Sequence, residues 1–296
     1  MSMRKQLVTT VERMLETDSR TVLLLGDIGV FGFRRAFRQF PRRVYNVGIL
    51  EQATVGMAAG LARAGLIPLV HTIAPFLVER SYEQIKIDFG YQALGGNFVS
   101  VGASYDYASL GCTHHCPGDV GILLHIPKME ITVPGTSLEF DHLFSHAYGN
   151  GNPTYFRLSE YQNSRSETVE FGKIKVIQKG SRATVLAIGP TLDKVREASR
   201  GLDVAILYCT TVAPFDIATL RAQLREQPKL LIVEPFYEGT LAHLVSQAAS
   251  GVPLQLRSVG VRREFLTHYG HASDHDAANG LTVANMRHQL EGLLDE

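Results

Sequence analysis

Two hydrophobic patterns alternate along the chain: short continuous apolar runs, and longer stretches in which apolar side chains recur every three or four positions. Residues 4–17 follow the second pattern, with Leu7, Val8, Val11, Met14 and Leu15 spaced for one face of a helix. Residues 21–25, Thr-Val-Leu-Leu-Leu, follow the first and stop at Gly26-Asp27, which predicts a strand buried on both faces. Residues 44–47 and 68–71 predict two further strands, each followed by a helix, over about 51–64 and about 76–92. Strands over 97–101, 129–133 and 154–158 continue the series, with a helix over 138–148 between the last two. The alternation lapses in a polar stretch at 161–182 and then resumes. Strands are expected at 183–189, 203–208, 229–233 and 254–259, with helices ending near Arg200 and covering 241–249. Strands separated by helices imply parallel sheets covered on both faces. The expected fold class is α/β in two domains, 1–170 and 171–296, each a mostly parallel sheet covered by helices.

Composition narrows the function classes. The 29 Lys and Arg balance 29 Asp and Glu, so no charge excess points to nucleic acid or an anionic membrane. With 45% hydrophobic and 20% charged residues, the chain of 296 can bury a core and is not of the disordered class. No apolar run approaches the roughly 20 residues of a membrane span. Met1 to Gln6 lacks the apolar segment of a secretory signal, and three sparse cysteines suit a reducing compartment. A cytoplasmic protein is the expectation.

Several motifs have a plain structural reading. Gly26-Asp27-Ile28-Gly29-Val30-Phe31-Gly32 follows a strand, but its glycine spacing is not that of a dinucleotide-binding turn, so a sharp turn is the preferred reading. Cys112-Thr113-His114-His115-Cys116 packs four metal-ligand types into five residues, too close together to converge on one zinc ion. His268, His271 and His275, with Asp274 and Asp276, are interrupted by Gly270 and read as a solvated loop. No metal ligand set is assigned. More informative is Tyr45-Asn46-Val47-Gly48-Ile49-Leu50-Glu51-Gln52-Ala53, which places a carboxylate at a strand's carboxyl end, where open α/β sheets bind ligands. Taken alone, Glu51 would merely complement a helix dipole.

Four segments in order change that reading. Asn46 to Gln52 resembles the N-x-G-I-x-E segment of the transketolase family, and Phe76 to Ile85 resembles its F-x-x-x-R-x-Y-x-Q stretch. Gly111 to His115 is similar to its G-x-T-H-Q loop, and Val212 to Asp216 to the P-F-D turn of its C-terminal domain. The likeness covers almost the whole chain and implies a pyrimidine-binding domain followed by the family's C-terminal domain. It implies thiamine diphosphate as cofactor, with Glu51 facing N1′ of the aminopyrimidine so that the 4′-amino group can take the C2 proton. Phe76 would stack on the pyrimidine, while Ile49 and Asp27 border the cofactor. His114 would face the substrate beside C2, and His71, His115 and Arg80 are further substrate-side candidates.

The chain contains no Gly-Asp-Gly, the motif through which relatives hold the diphosphate and Mg²⁺. The resemblance therefore implies half of a split enzyme, with Mg²⁺ held by an α-type partner subunit, commonly as α2β2, and with a homodimer of this chain within it. Glu160 stands where relatives carry a sugar-phosphate-binding Arg, leaving Arg157 and Arg80 as substitutes. A ketose, an aldose or a 2-oxo acid fits such a site. The reading is a pyrimidine-binding subunit of a transketolase-like transferase moving a two-carbon ketol unit. The alternatives are the β subunit of a 2-oxo-acid dehydrogenase, a deoxyxylulose-phosphate-synthase-like enzyme, and a catalytically idle scaffold.

Overall fold

The computed structural model describes residues 1–295. Twelve strands form two sheets among these residues: β1 (Thr21–Leu25), β2 (Val44–Asn46), β3 (Ile67–Ile73), β4 (Gly96–Val101), β5 (Glu130–Thr132), β6 (Pro153–Arg157), β7 (Ile174–Gln178), β8 (Ala183–Ile188), β9 (Val204–Cys209), β10 (Thr211–Ala213), β11 (Lys229–Tyr237) and β12 (Gln255–Val261). The apolar run that forms β1 is buried at all five positions, as a strand covered on both faces requires.

The first sheet runs β10-β5-β6-β4-β3-β1-β2 and the second β12-β11-β8-β9-β7. Both are parallel except for one antiparallel edge strand each, β10 on β5 and β7 on β9. In the first sheet β1 pairs with β2 on one side and β3 on the other, with Leu25 level with both Asn46 and His71. The chain thus leaves β1 in one direction and returns on its other flank. Such a switch point opens a crevice at the strands' carboxyl ends.

The helix Glu51–Arg63 buries Glu51, Thr54, Val55, Ala58 and Ala59, a spacing that lays one stripe against the sheet. Where the pattern predicts a single helix over 76–92, three shorter pieces occur: Ala74–Val78, Tyr82–Gln84 and a π-helical stretch, Ile85–Tyr91. Ser81 Oγ donates to the Leu77 carbonyl at 2.5 Å, competing for the acceptor that a continuing helix would give to its backbone. The polar stretch 161–182 contains a real strand, β7, an edge strand buried at Ile174 and exposed at Val176 and Gln178. The cluster expected as a solvated loop at 268–276 is instead largely helical, Ala272–Asn279. His271 and Asp274 form its capping box, Gly280 ends it in a left-handed conformation, and His275 is buried.

Val55, Leu77, Val133, Ile188, Val212 and Phe236 belong to one apolar cluster, so the core runs continuously between the two sheets. The approach is closest at Gly135, where a Cβ would enter the space of Tyr208 Oη and Asn163 Nδ2 and lie 2.8 Å from the Gly189 carbonyl oxygen. Gly135→Ala is expected to cost about 1–3 kcal/mol through overpacking, read as a lower urea midpoint. An unchanged midpoint would show that the junction yields without cost.

Candidate active site

A cleft of about 370 Å³ opens at the switch point. Gly26 to Phe31 from the turn after β1, Ile49 from the turn after β2 and Glu51 at the start of the helix that follows, Thr72 and Ile73 from the end of β3, and Phe76 from the helix after it line the cleft, together with Arg4. Asn46 fixes the first two turns to each other. Its Oδ1 accepts from the Asp27 backbone N–H at 2.9 Å and from that of Gly48 at 3.1 Å, and its Nδ2 donates to Asp27 Oδ1. Asp27 is held at φ 67°, a conformation that Asp tolerates better than most residues.

Glu51 opens its helix and is only 2% exposed. Arg80 Nη1 donates to Oε2 at 2.9 Å, whereas Oε1 is buried with no hydrogen-bond partner. Leaving a buried carboxylate oxygen unpaired carries a desolvation penalty, so this atom is suited to a ligand that brings a polar nitrogen or hydroxyl. The Arg80 guanidinium also lies 4.2 Å from the centroid of the Phe76 ring, and so orders the carboxylate and the aromatic together. Half-buried His114 meets the same ring edge-on, with centroids 5.3 Å apart and planes at 71°. Its Nδ1 lies 3.0 Å from Thr113 Oγ1, which leaves Nε2 for another partner. Carboxylate, aromatic plate and imidazole together can hold a flat heterocycle and move a proton next to it.

The other candidates lie apart from this group. His71 is 1% exposed beneath the cleft, with Nδ1 2.8 Å from the Val99 carbonyl oxygen and its ring against Gly29. Burial pulls its pKa down to about 4, so it is neutral at ordinary pH. His115 is buried against His275 and does not line the cleft. Cys116 reaches towards Glu79 Oε1, so the side chains of the 112–116 segment are held by different partners. Arg157 is no substitute anion grip: it is fully buried, donating through Nε to Asp119 Oδ2 at 2.7 Å and through Nη2 to Ser104.

Arg4 carries no motif that would single it out in the sequence. It is exposed, lines the cleft beside Glu51, and also lines a neighbouring hollow with Tyr107, Ser159 and Glu160. In the pattern of residues 4–17 it is one polar position of an amphipathic helix, and only the packing of that helix brings it to the cleft.

Residues 1–164 match the family described as "Transketolase, pyrimidine binding domain". The chain belongs to this transketolase family. Among its relatives is the "Uncharacterized 33.6 kDa protein in fasciation locus" of Rhodococcoides fascians, 42% identical over 289 residues, covering 97% of this chain and 93% of that protein. Another is one of the subunits of the apulose-4-phosphate transketolase of Actinobacillus succinogenes, 29% identical over 236 residues and covering 76% of each chain. Of solved structures, the transketolase fold is seen in a "Split gene transketolase, inactive beta4 tetramer", with a TM-score of 0.87 at 23% identity, covering 100% of this chain and 98% of that one.

Membership gives the cleft a cofactor to be tested against, since thiamine diphosphate dependence goes with the transketolase family. The residues present fit it. The buried Glu51 Oε1 lacks a partner, as a site for a ring nitrogen would need, Phe76 offers an aromatic face, and Ile49 adds an apolar edge. No helix among the described residues is long and apolar enough to cross a membrane.

Proposed function

We propose that this chain is the pyrimidine-binding subunit of a split, thiamine-diphosphate-dependent transketolase-like enzyme that transfers a two-carbon ketol unit between sugar-type substrates. In this reading residues 1–170 form the pyrimidine-binding domain and 171–296 the C-terminal domain. The observation that carries it is Glu51, buried at the mouth of a switch-point crevice with Oε1 unpaired and Oε2 held by Arg80.

Glu51 would hold a proton at Oε1 for a pyrimidine nitrogen, Phe76 and Ile49 would hold the ring, and Asp27 would border it. When bound, the cofactor supplies the nucleophilic carbon needed to break and remake a bond next to a carbonyl. His114, beside Phe76, gives or takes a proton at the substrate oxygen through Nε2. The donor ketose loses its C2–C3 bond, and a new carbon–carbon bond forms at the aldehyde carbon of the acceptor aldose, with no net redox change. Arg4 faces the outer part of the cleft, where a cation suits an anionic end of the sugar.

An α-type partner would supply the diphosphate and Mg²⁺ site, which no Gly-Asp-Gly of this chain provides, in a cytoplasmic α2β2 assembly. Supporting this, Phe31 and Ile49 line the cleft while 80% and 66% exposed, an apolar rim of the kind that a partner covers. The test is calorimetric titration of thiamine diphosphate with Mg²⁺, on this chain alone and mixed with a candidate Gly-Asp-Gly-bearing partner. Tight binding is expected only in the mixture, and Phe76→Ala there should raise Kd by about tenfold, as expected for losing one aromatic stack. If the mixture binds no better than the separate chains, the proposal fails for that pair. If Phe76→Ala leaves Kd unchanged, the cofactor lies elsewhere.

A further inference from the structure

Behind the loop that carries His114, two imidazoles from opposite halves of the chain face each other edge-on. His115 is 6% exposed and neither Nδ1 nor Nε2 has a hydrogen bond; His275 is 1% exposed and its Nε2 has none. Their rings meet edge-on, with centroids 5.1 Å apart and planes at 80°. The other contact of His275 is a stack on Tyr105, also 5.1 Å apart, at 25°. Tyr105 Oη donates to Asp276 Oδ1 at 2.6 Å, and Lys194 binds the other oxygen of that carboxylate, so the base of the stack is fixed.

The same segment touches the loop at a second point. Gly111 has φ +76°, and a Cβ there would lie 2.7 Å from the ring of Tyr269. The loop itself is held by short-range backbone bonds, Leu110 N–H to the Tyr107 carbonyl, Gly111 N–H to that of Ala108, His114 N–H to that of Gly111 and His115 N–H to that of Cys112, with Cys116 N–H to the Ser104 carbonyl as a longer-range tie. Its placement therefore depends on what lies behind it.

We infer that His275 is a positioning residue for the loop that carries His114, holding that loop in place only while the His115–His275 pair is uncharged. The inference rests on His114 serving the site proposed above. Two facing imidazoles disfavour an added proton: a charge on either ring is buried and repels the other, and this outweighs the pull of the Tyr107 and Ala108 backbone on His115. Burial holds the pKa of both rings below the usual histidine value, and each ring has a second histidine nearby, His114 for His115 and His268 for His275. Asp274 and Asp276 draw a proton towards His275, but Asp274 is engaged in the cap of its own helix and Asp276 with Tyr105 and Lys194. The sign follows: rings with a depressed pKa when packed favour the closed arrangement above about pH 6.5 and disfavour it as pH falls below that.

Hydrogen exchange of the amides of residues 110–116, measured on the full-length chain between pH 7.5 and 5.5 and corrected for intrinsic exchange, tests this. Protection in the wild type is expected to fall as pH drops below 6.5, by up to about tenfold per pH unit for each proton taken up. His275→Phe keeps a ring against Tyr105 and His115 but cannot titrate, and should weaken the response to the part carried by His115 while leaving the melting temperature at pH 7.5 within a few degrees. His115→Gln should weaken it from the other side, with the same control, and the double variant should flatten it. A wild-type loop whose protection is independent of pH, or variants that fold normally and keep the wild-type response, would overturn the inference. Because exchange needs neither cofactor nor partner, this result is independent of the thiamine diphosphate titration.

Discussion

Glu51→Gln is expected to cut kcat of the assembled enzyme by about 10²–10⁴-fold, the range for removing a positioned proton-transfer group, while the chain stays folded. An amide has the shape of the carboxyl group and can still accept from Arg80, but it cannot exchange a proton at the position of Oε1. The melting temperature should move little, since the substitution keeps an acceptor for Arg80 and removes a charge from a site that is 2% exposed. Steady-state turnover of the reconstituted enzyme beside a melting curve of the isolated variant separates the two effects. Near-normal kcat in a folded variant would remove Glu51 from the chemistry and return it to the role of a helix-end carboxylate.

The largest stability loss is expected at Asp119→Ala. Asp119 Oδ2 accepts from Arg157 Nε at 2.7 Å and from Tyr155 Oη at 2.8 Å, and the charged side chains are 0% and 1% exposed. Arg157 reaches on to Ser104, whose hydroxyl donates to the Pro235 carbonyl, so the pair ties β6 to the strand β11 of the other sheet. Removing the carboxylate leaves a guanidinium in the interior with one neutral partner, at a cost of about 3–5 kcal/mol. Replacing both residues, Asp119→Leu with Arg157→Met, should cost much less than the single change, because no charge is then stranded. Denaturant unfolding of the two variants decides the matter; a double variant less stable than Asp119→Ala would mean that packing around the pair, not its charge, sets the penalty.

Much of the fold could be read from the residues because burial on both faces leaves a plain trace. The runs forming β1 and β8 are each apolar but for one threonine, Thr21 and Thr184, and are buried throughout. What could not be read has identifiable causes. β7 is an edge strand that leaves an apolar residue, Val176, exposed, and β10 is three residues long, so neither carries a clean periodicity. The break after Val78 depends on a serine hydroxyl meeting a carbonyl, which no hydrophobic pattern encodes. The helix Ala272–Asn279 was hidden by its composition of small and polar residues.

The site divides in the same way. Glu51 and Phe76 stand out through short motifs, and they share one cleft with Asp27 and Ile49. His71 and His115 are attractive as titratable groups near strand or loop ends, yet each has its ring buried away from the cleft. Arg4 and the unpaired nitrogens behind the loop depend on residues far apart in sequence being brought together, Arg4 into the cleft of Glu51 and His115 against His275.

The antiparallel pairing of β10 with β5 bears on how the chain can be divided. β10 comes from the second half of the sequence but closes the outer edge of the first sheet. The halves are therefore not interchangeable modules. A fragment ending near residue 170 would bare the amide groups of β5 as an open edge, inviting self-association in place of the missing strand. Fusion or gene shuffling that keeps the first 170 residues must bring a replacement for Thr211–Ala213 with it.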